Sequence, residues 1–277
     1  MITGGFRIGV SQKLMTKALA KATDLDEDVL AYKLMGNWNP STISFKDLIL
    51  EENEKDYLSK PYPFYLAYAL EDPPEDLGDV DEWSAEHKWD GIRAQVILRN
   101  NEIFIWSRGE ELVTDKYPEF QQFIGNIPNG TVLDGELLPY PDGQIGTFND
   151  LQTRIGRKNV SKSLLEKTPV ILKAYDILEW DGEDIRGKSY LERRTLLEEM
   201  YAHVISNPKN WDEKSKENKD FSHLLETTDL PLLLSERIQC NSWEQVAEER
   251  KRSREMRSEG RSEEHTSELQ SPMYLVC

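Results

Sequence analysis

Lys88-Trp89-Asp90-Gly91-Ile92-Arg93-Ala94-Gln95-Val96-Ile97-Leu98-Arg99 runs into Asn100-Asn101 and then Glu102-Ile103-Phe104-Ile105-Trp106-Ser107. Ile92, Ala94, Val96 and Leu98 alternate with Arg93, Gln95 and Arg99, the period of two of a half-buried strand. Asn-Asn is turn chemistry, and residues 102–107 return as a second strand. The stretch therefore reads as a β-hairpin with a lysine at its mouth. An ordinary lysine has a pKa of about 10.4, so only roughly one in a few thousand is neutral and nucleophilic at pH 7. A nearby cation or metal, or desolvation, can free more of it. Taken alone, Lys88 reads as an ordinary strand-edge lysine beside a turn.

Outward from the hairpin, residues 131–138 and 169–178 are further strands, and the first carries Asp134-Gly135-Glu136 between Val132-Leu133 and Leu137-Leu138. Asp134 and Glu136 share one face of that strand, an arrangement suited to a divalent cation or ribose hydroxyls, or simply to an acidic edge. Tyr175-Asp176 interrupts Val170-Ile171-Leu172 and Ile177-Leu178. An aromatic there can stack on a base or belong to the core. Ser189 to Glu192 has the spacing of a capping box and is expected to open a helix through about residue 202. Residues 207–220 are polar and read as an exposed loop, and residues 243–256 as a charged helix. Pro61-Tyr62-Pro63-Phe64 is a rigid connector. Before it, Leu14, Ala18 and Leu19, then Val29, Leu30 and Leu34, fall at helical spacings. The break at residues 37–40 precedes a resumption over 45–50. The chain opens as though within a domain.

The 277 residues carry 51 acidic and 34 basic side chains, for a net charge of -17. That balance argues against coating nucleic acid through bulk positive charge, but leaves room for a few placed contacts. The hydrophobic share of 38%, with seven Trp, eleven Tyr and eight Phe, is enough for a packed core. Cys240 and Cys277 alone make neither a disulfide framework nor a zinc site. No apolar run is long enough to span a membrane, so the expectation is a soluble, cytoplasmic protein with no membrane partner.

Lys88 to Arg93, Ser107 to Glu110, Asp134 to Glu136, Tyr175-Asp176 and Arg254 to Gly260, in that order, resemble the successive motifs of the ATP-dependent DNA ligases. These belong to the covalent nucleotidyltransferases, which include RNA ligases and capping enzymes. Residues 181–187 through Arg193-Arg194 share the ligase pattern, and Thr3 to Ser11 resembles the end of its helical DNA-binding domain. The resemblance implies an α+β fold: an adenylyltransferase domain of antiparallel sheets flanked by helices, ATP-grasp-like. It would occupy residues 61–260 and be incomplete, after the remnant of an all-α DNA-binding domain over 1–60.

Carried over residue by residue, Lys88 would attack the α-phosphate of ATP and hold AMP. Glu86 and Tyr175 would read and stack the adenine, and Arg93 and Arg108 would contact sugar and phosphate. Glu136 would hold ribose or metal, and Glu259 would help bind Mg2+. The implied cofactors are ATP and Mg2+, and the implied partner is nicked double-stranded DNA, in repair, replication and recombination. The resemblance further implies a monomer, in a prokaryote at the nucleoid. Other readings are an RNA ligase or capping-type enzyme, or a catalytically dead nucleotide- or DNA-binding module.

After Gly260 the family runs into an apolar stretch ending in lysine, whereas residues 261–271 are hydrophilic. Residues 261–277 resemble a reading frame of a sequencing-library adapter and are expected to be a non-native tail. The family's later lysines and its C-terminal OB-fold domain have no counterpart here. The chain as written is therefore expected to seal nicks poorly or not at all, with self-adenylation impaired. Arg250-Lys251-Arg252 reads as a solvated helix face.

Overall fold

The computed structural model describes residues 12–25, 27–34, 39–50, 58–65, 74–109, 111–157, 160–206, 230–253 and 273–276. The fold is α+β, with mainly antiparallel sheets flanked by helices. The described part of the first fifty residues is helical: α1 (Gln12–Thr23), α2 (Glu27–Leu34) and a π-helical turn at Lys46–Leu50. This agrees with the periodicity, although Leu14 is exposed.

Nine strands follow among the described residues: β1 (Ser84–His87), β2 (Ile92–Arg99), β3 (Glu102–Ser107), β4 (Thr131–Pro139), β5 (Val170–Trp180), β6 (Glu183–Asp184), β7 (Leu232–Leu234), β8 (Arg237–Ile238) and β9 (Met273–Val276). They form a six-stranded sheet of order β3-β2-β4-β5-β6, with β7 pairing parallel to β5, and a three-stranded sheet of order β8-β1-β9. The expected hairpin is β2–β3. Asn100 and Asn101 turn it with φ of 51° and 57°, the left-handed pair that asparagine tolerates and that matches strand twist. Strand β9 falls within the segment expected to be foreign, and pairs antiparallel with β1 from Ser84↔Val276 to His87↔Met273.

Helices α3 (Phe148–Ile155), α4 (Lys162–Lys167), α5 (Tyr190–Ser206) and α6 (Trp243–Ser253) complete the described elements. The capping box opens α5 as expected: Ser189 N donates to Glu192 Oε2 at 2.9 Å and Glu192 N to Ser189 Oγ at 3.3 Å. The expected loop over 207–220 lies outside the described residues, as do residues 254–256 of the expected last helix.

Strand β2 departs from the half-buried expectation, because its residues 94–99 are buried on both faces. Ala94, Val96 and Leu98 join the main core with Phe120, Phe123, Leu197 and Met200. On the opposite face Ile97 packs with Tyr62, Trp106, Val132 and Leu178. The cover is the connector. Tyr62 N donates to Gln95 Oε1 at 2.7 Å, and Gln95 Nε2 returns a bond to Tyr62 O at 2.9 Å. Gln95 thus acts as a surrogate strand edge, which lets a polar side chain sit at zero exposure.

Candidate active site

One face of the six-stranded sheet carries charge where its neighbours carry aliphatics. In register, Arg93 on β2 lies opposite Glu136 on β4, and Glu136 lies opposite Lys173 on β5. The next row is Gln95, Asp134 and Asp176. Same-face residues on adjacent strands have Cβ atoms roughly 5 Å apart, so the rows are contiguous. Arg93 grips Asp134 with both Nε (3.2 Å) and Nη2 (2.9 Å). Its Nη1 donates to the carbonyl of Tyr65, and its guanidinium sits 5.6 Å from the Phe64 ring and 5.7 Å from the Tyr175 ring. The connector, the sheet and Tyr175 therefore all fix Arg93. Of two register shifts between β4 and β5, the one between Asp134 and Gly135 leaves Tyr175 unpaired between Ala174 and Asp176. Such a bulge re-aims a side chain, and the Tyr175 hydroxyl donates to Asp134 Oδ1 at 3.3 Å.

Lys88 lies in the link from β1 to β2, which crosses from one sheet to the other. Gly91 presses that link onto β4. A Cβ there would stand 2.4 Å from the Leu137 carbonyl oxygen and 2.8 Å from Glu136 Cγ. Close approach, and not a left-handed turn, therefore requires the glycine, which is not among the positive-φ residues. Arg108 reaches the same edge, its backbone N–H donating to Arg93 O at 2.9 Å, with its side chain exposed. Burial pushes the Glu136 carboxyl up to about 8; Arg93 opposes the shift, Asp134 adds to it, and Lys88 and Arg108 oppose it further. Three cations and a second carboxylate thus act on one buried acid.

Glu86, two residues before Lys88, faces α5. Its Oε1 accepts from the Tyr190 hydroxyl at 2.6 Å and Arg194 Nη1 at 3.4 Å. Its Oε2 is buried without a hydrogen bond, although Ser235 stands close. Burial holds this carboxyl above the usual range against the pull of Arg194. A buried acceptor with a spare lone pair can receive an N–H from a ligand.

The structure brings Lys88, Arg93, Arg108 and Glu136 together and ties Tyr175 to them through Asp134. Glu86 is tied in through Lys173, whose ammonium its charge favours. Glu259 lies outside the described residues. Sequence reasoning passed over Lys173, a buried lysine that pairs with Glu236 at 2.7 Å. The available signal was a lone cation in the apolar run Val170-Ile171-Leu172. It also missed that Tyr190 and Arg194, at a helical i, i+4 spacing, converge on one carboxylate.

Among the described residues no three His, Cys, Asp or Glu side chains gather into a metal cage. Mg2+ ordinarily takes one or two carboxylates, with substrate phosphates and waters completing its shell. The buried Glu136 carboxylate fits that limited role.

The profile of the ATP-dependent DNA ligase domain matches residues 65–260. A probable DNA ligase of Koribacter versatilis is 31% identical over 208 residues, covering 73% of this chain and 35% of that protein. DNA ligase 1 of Korarchaeum cryptofilum is 27% identical over 207 residues, covering 74% and 38%. The chain therefore spans little more than a third of the length of these curated relatives. Among solved structures, mycobacterial DNA ligase D complexed with ATP and MES aligns at 25% identity over 61% of this chain and 44% of that one, with a TM-score of 0.42. With the profile matched over more than two thirds of its length, the chain belongs to the ATP-dependent DNA ligase family.

Proposed function

We propose that residues 61–260 are the adenylation unit of a DNA ligase and that Lys88 is its nucleophile. The observation that carries this reading is the convergence of Lys88, Arg93 and Arg108 on the buried Glu136 within the matched segment. Phosphoryl transfer demands positioning and charge neutralisation more than acid–base machinery, and these groups supply both. The neutral Nζ of Lys88 attacks the α-phosphorus of ATP; the P–N bond forms, the α–β P–O bond breaks, pyrophosphate leaves, and the nitrogen releases one proton to solvent. Arg93, held by Asp134 and flanked by Tyr175 and Phe64, is oriented for the sugar and phosphate. Arg108 is free to swing on its exposed side chain. Glu86 offers its unbonded Oε2 to a base N–H, and Tyr175 offers a ring face. Mg2+, held at Glu136 and with Glu259, would neutralise phosphate charge. In the parent enzyme AMP then passes to the 5′-phosphate of a nick, and the 3′-hydroxyl displaces it. Residues 1–60 are read as the end of a DNA-binding domain.

Incubating the chain with α-labelled ATP and Mg2+, followed by peptide mapping, tests this. The expected result is an AMP adduct on Lys88, slow to form and lost in Lys88→Ala, with little or no nick sealing. Label that survives Lys88→Ala, or ATP binding that never yields an adduct, overturns the reading; the latter favours a binding module. An adduct formed from GTP, or one passed to nicked RNA in preference to DNA, would move the chain to the capping or RNA-ligase branch.

A further inference from the structure

We infer that Lys173 is a positioning residue for Lys88, acting through the indole of Trp89. The inference rests on the reading of Lys88 as the nucleophile, but its central measurement does not require AMP transfer.

The geometry starts with Trp89, the residue after Lys88. The Lys173 ammonium lies 3.9 Å from the centroid of the Trp89 ring, close range for a cation–π contact, and the Lys173 side chain is only 3% exposed. Such contacts strengthen when water is excluded. Glu236 holds the same ammonium at 2.7 Å from one oxygen and 3.0 Å from the other. Trp89 Nε1 lies 3.4 Å from Ser235 Oγ, and the His87 ring meets the indole edge-on at 5.9 Å. Both chain neighbours of Lys88 are therefore engaged in one cluster, in which Lys173 is the cation against the indole.

Packing alone does not secure the indole. Trp89 also borders a cavity of about 390 Å³, lined by Tyr140, Tyr201, Leu233 and Glu236 as well. With open space available, a directional contact is what selects one indole position. The choice of residue points the same way. Val170 and Leu172 on the same strand are buried aliphatics, and a third would fill β5 without desolvating a charge, which costs several kcal/mol unless well paired. Burial does press the Lys173 ammonium towards its neutral form, with Glu236 and then Glu86 opposing. Lys173 also stands directly across from Glu136 in the strand register. A single side chain thus links β5, the neighbour of the strand that bears the acid, to the turn that bears the nucleophile. Removing its charge should let Trp89 shift and carry Lys88 with it. Misplacing a reacting atom by about 1 Å is enough to cost on the order of a hundredfold in rate.

The test compares Lys173→Met, Lys173→Arg, Trp89→Leu and the double variant Lys173→Met/Trp89→Leu. The first readout is the rate at which an amine-reactive ester acylates Lys88, followed by peptide mass spectrometry across pH 7 to 9, with the exposed Lys162 as internal standard. A severalfold change in the Lys88 rate is expected in Lys173→Met and in Trp89→Leu, with no further change in the double variant. Lys173→Arg, which keeps the charge and the ring contact, is expected to restore the wild-type rate. The second readout is AMP attachment at saturating ATP, which should fall roughly tenfold or more in Lys173→Met while ATP affinity holds. If Lys88 acylation stays at the wild-type rate in both single variants, or if Lys173→Arg fails to rescue, the inference is overturned whatever happens to stability. Should Lys173→Met fail to fold, Trp89→Leu and Lys173→Arg decide it in the same way. If the wild-type chain takes no AMP, the functional reading fails, and the acylation rates still judge the role of Lys173.

Discussion

Glu136 is the residue whose surroundings reach furthest into behaviour. Its carboxyl is pushed up to about 8 from an ordinary 4.5 because burial outweighs the cations around it. The folded chain therefore keeps a proton that the unfolded chain has released above about pH 4.5. The stabilisation from that proton is complete below pH 4.5 and is lost as pH rises through 8. Glu136→Gln mimics the protonated acid and carries no such dependence. The melting temperature of the variant minus that of wild type should therefore grow steadily from pH 5 to pH 8 and level off above; a flat difference would show that Glu136 is not so shifted. Gly91 gives a second prediction. An alanine there must displace the Leu137 carbonyl or the link itself, because 2.4 Å is well inside contact distance. Overpacking of this kind typically costs about 1–3 kcal/mol, so Gly91→Ala should lower thermal stability and slow AMP attachment together. At this scale the sequence was legible where type and spacing mattered: the motifs singled out Lys88, Arg93 and Glu136, and the fold places Arg93 and Glu136 opposite each other with Lys88 on the adjoining link. It was illegible where a third strand decided the matter. Gly91 read as a turn former because nothing local says that β4 lies beneath it. Lys173 was passed over because its partners, Trp89 and Glu236, are 84 residues before it and 63 after it.

Elements are joined here by buried arginines as much as by apolar packing. Arg154 on α3 has no exposure, and it binds the Glu119 carboxylate through Nη1 (2.7 Å) and Nη2 (2.5 Å). It also donates to the carbonyls of Lys116 and Thr168, and its guanidinium sits 5.0 Å from the Tyr117 ring. This one side chain ties α3 to the 3-10 turns that floor the main core. Arg154→Ala would strand Glu119, and breaking a buried pair in this way costs about 3–5 kcal/mol. Chemical denaturation should register that loss as a lower midpoint. The connector is tied down similarly: Tyr62 donates to Glu179 at 2.7 Å, while Arg99 bonds both Glu179 and the Lys60 carbonyl. Tyr62→Phe leaves Glu179 with Arg99, so the expected loss is smaller, about 1–2 kcal/mol on the same measurement. Strands β2 to β5 and helices α1, α2, α5 and α6 followed from period, turn residues and caps, whereas α3, α4 and the short strands β6 to β9 did not. The two-sided burial of β2 did not, because its second cover is a connector some thirty residues upstream that contributes through Gln95. The bulges of β5 left no mark in its apolar pattern, and they decide where Tyr175 points.

At the scale of the whole chain, the site depends on two sheets meeting, and Lys88 lies on the link from β1 to β2 that joins them. The six-stranded sheet supplies Arg93, Glu136, Lys173 and Tyr175; the three-stranded sheet supplies Glu86 and, through β1, the approach to Lys88. The net charge of -17 is no obstacle to this arrangement, since the cations are few and placed by register. The three-stranded sheet is the weaker partner. Strand β8 pairs with only Ala85 and Glu86, whereas β9 pairs with all four residues of β1. An unpaired edge exposes backbone donors and acceptors and invites association with other chains. Removing residues 261–277 should therefore loosen β1, raise amide exchange across Ser84–His87, and increase self-association measured by light scattering. The six-stranded sheet, in which β9 does not pair, should keep its protection. A tail of foreign origin with no structural part would predict the opposite: unchanged exchange in β1 and an unchanged melting curve. Because Lys88 follows β1 directly, the same truncation should alter the acylation rate of Lys88 if the β9 pairing forms in solution.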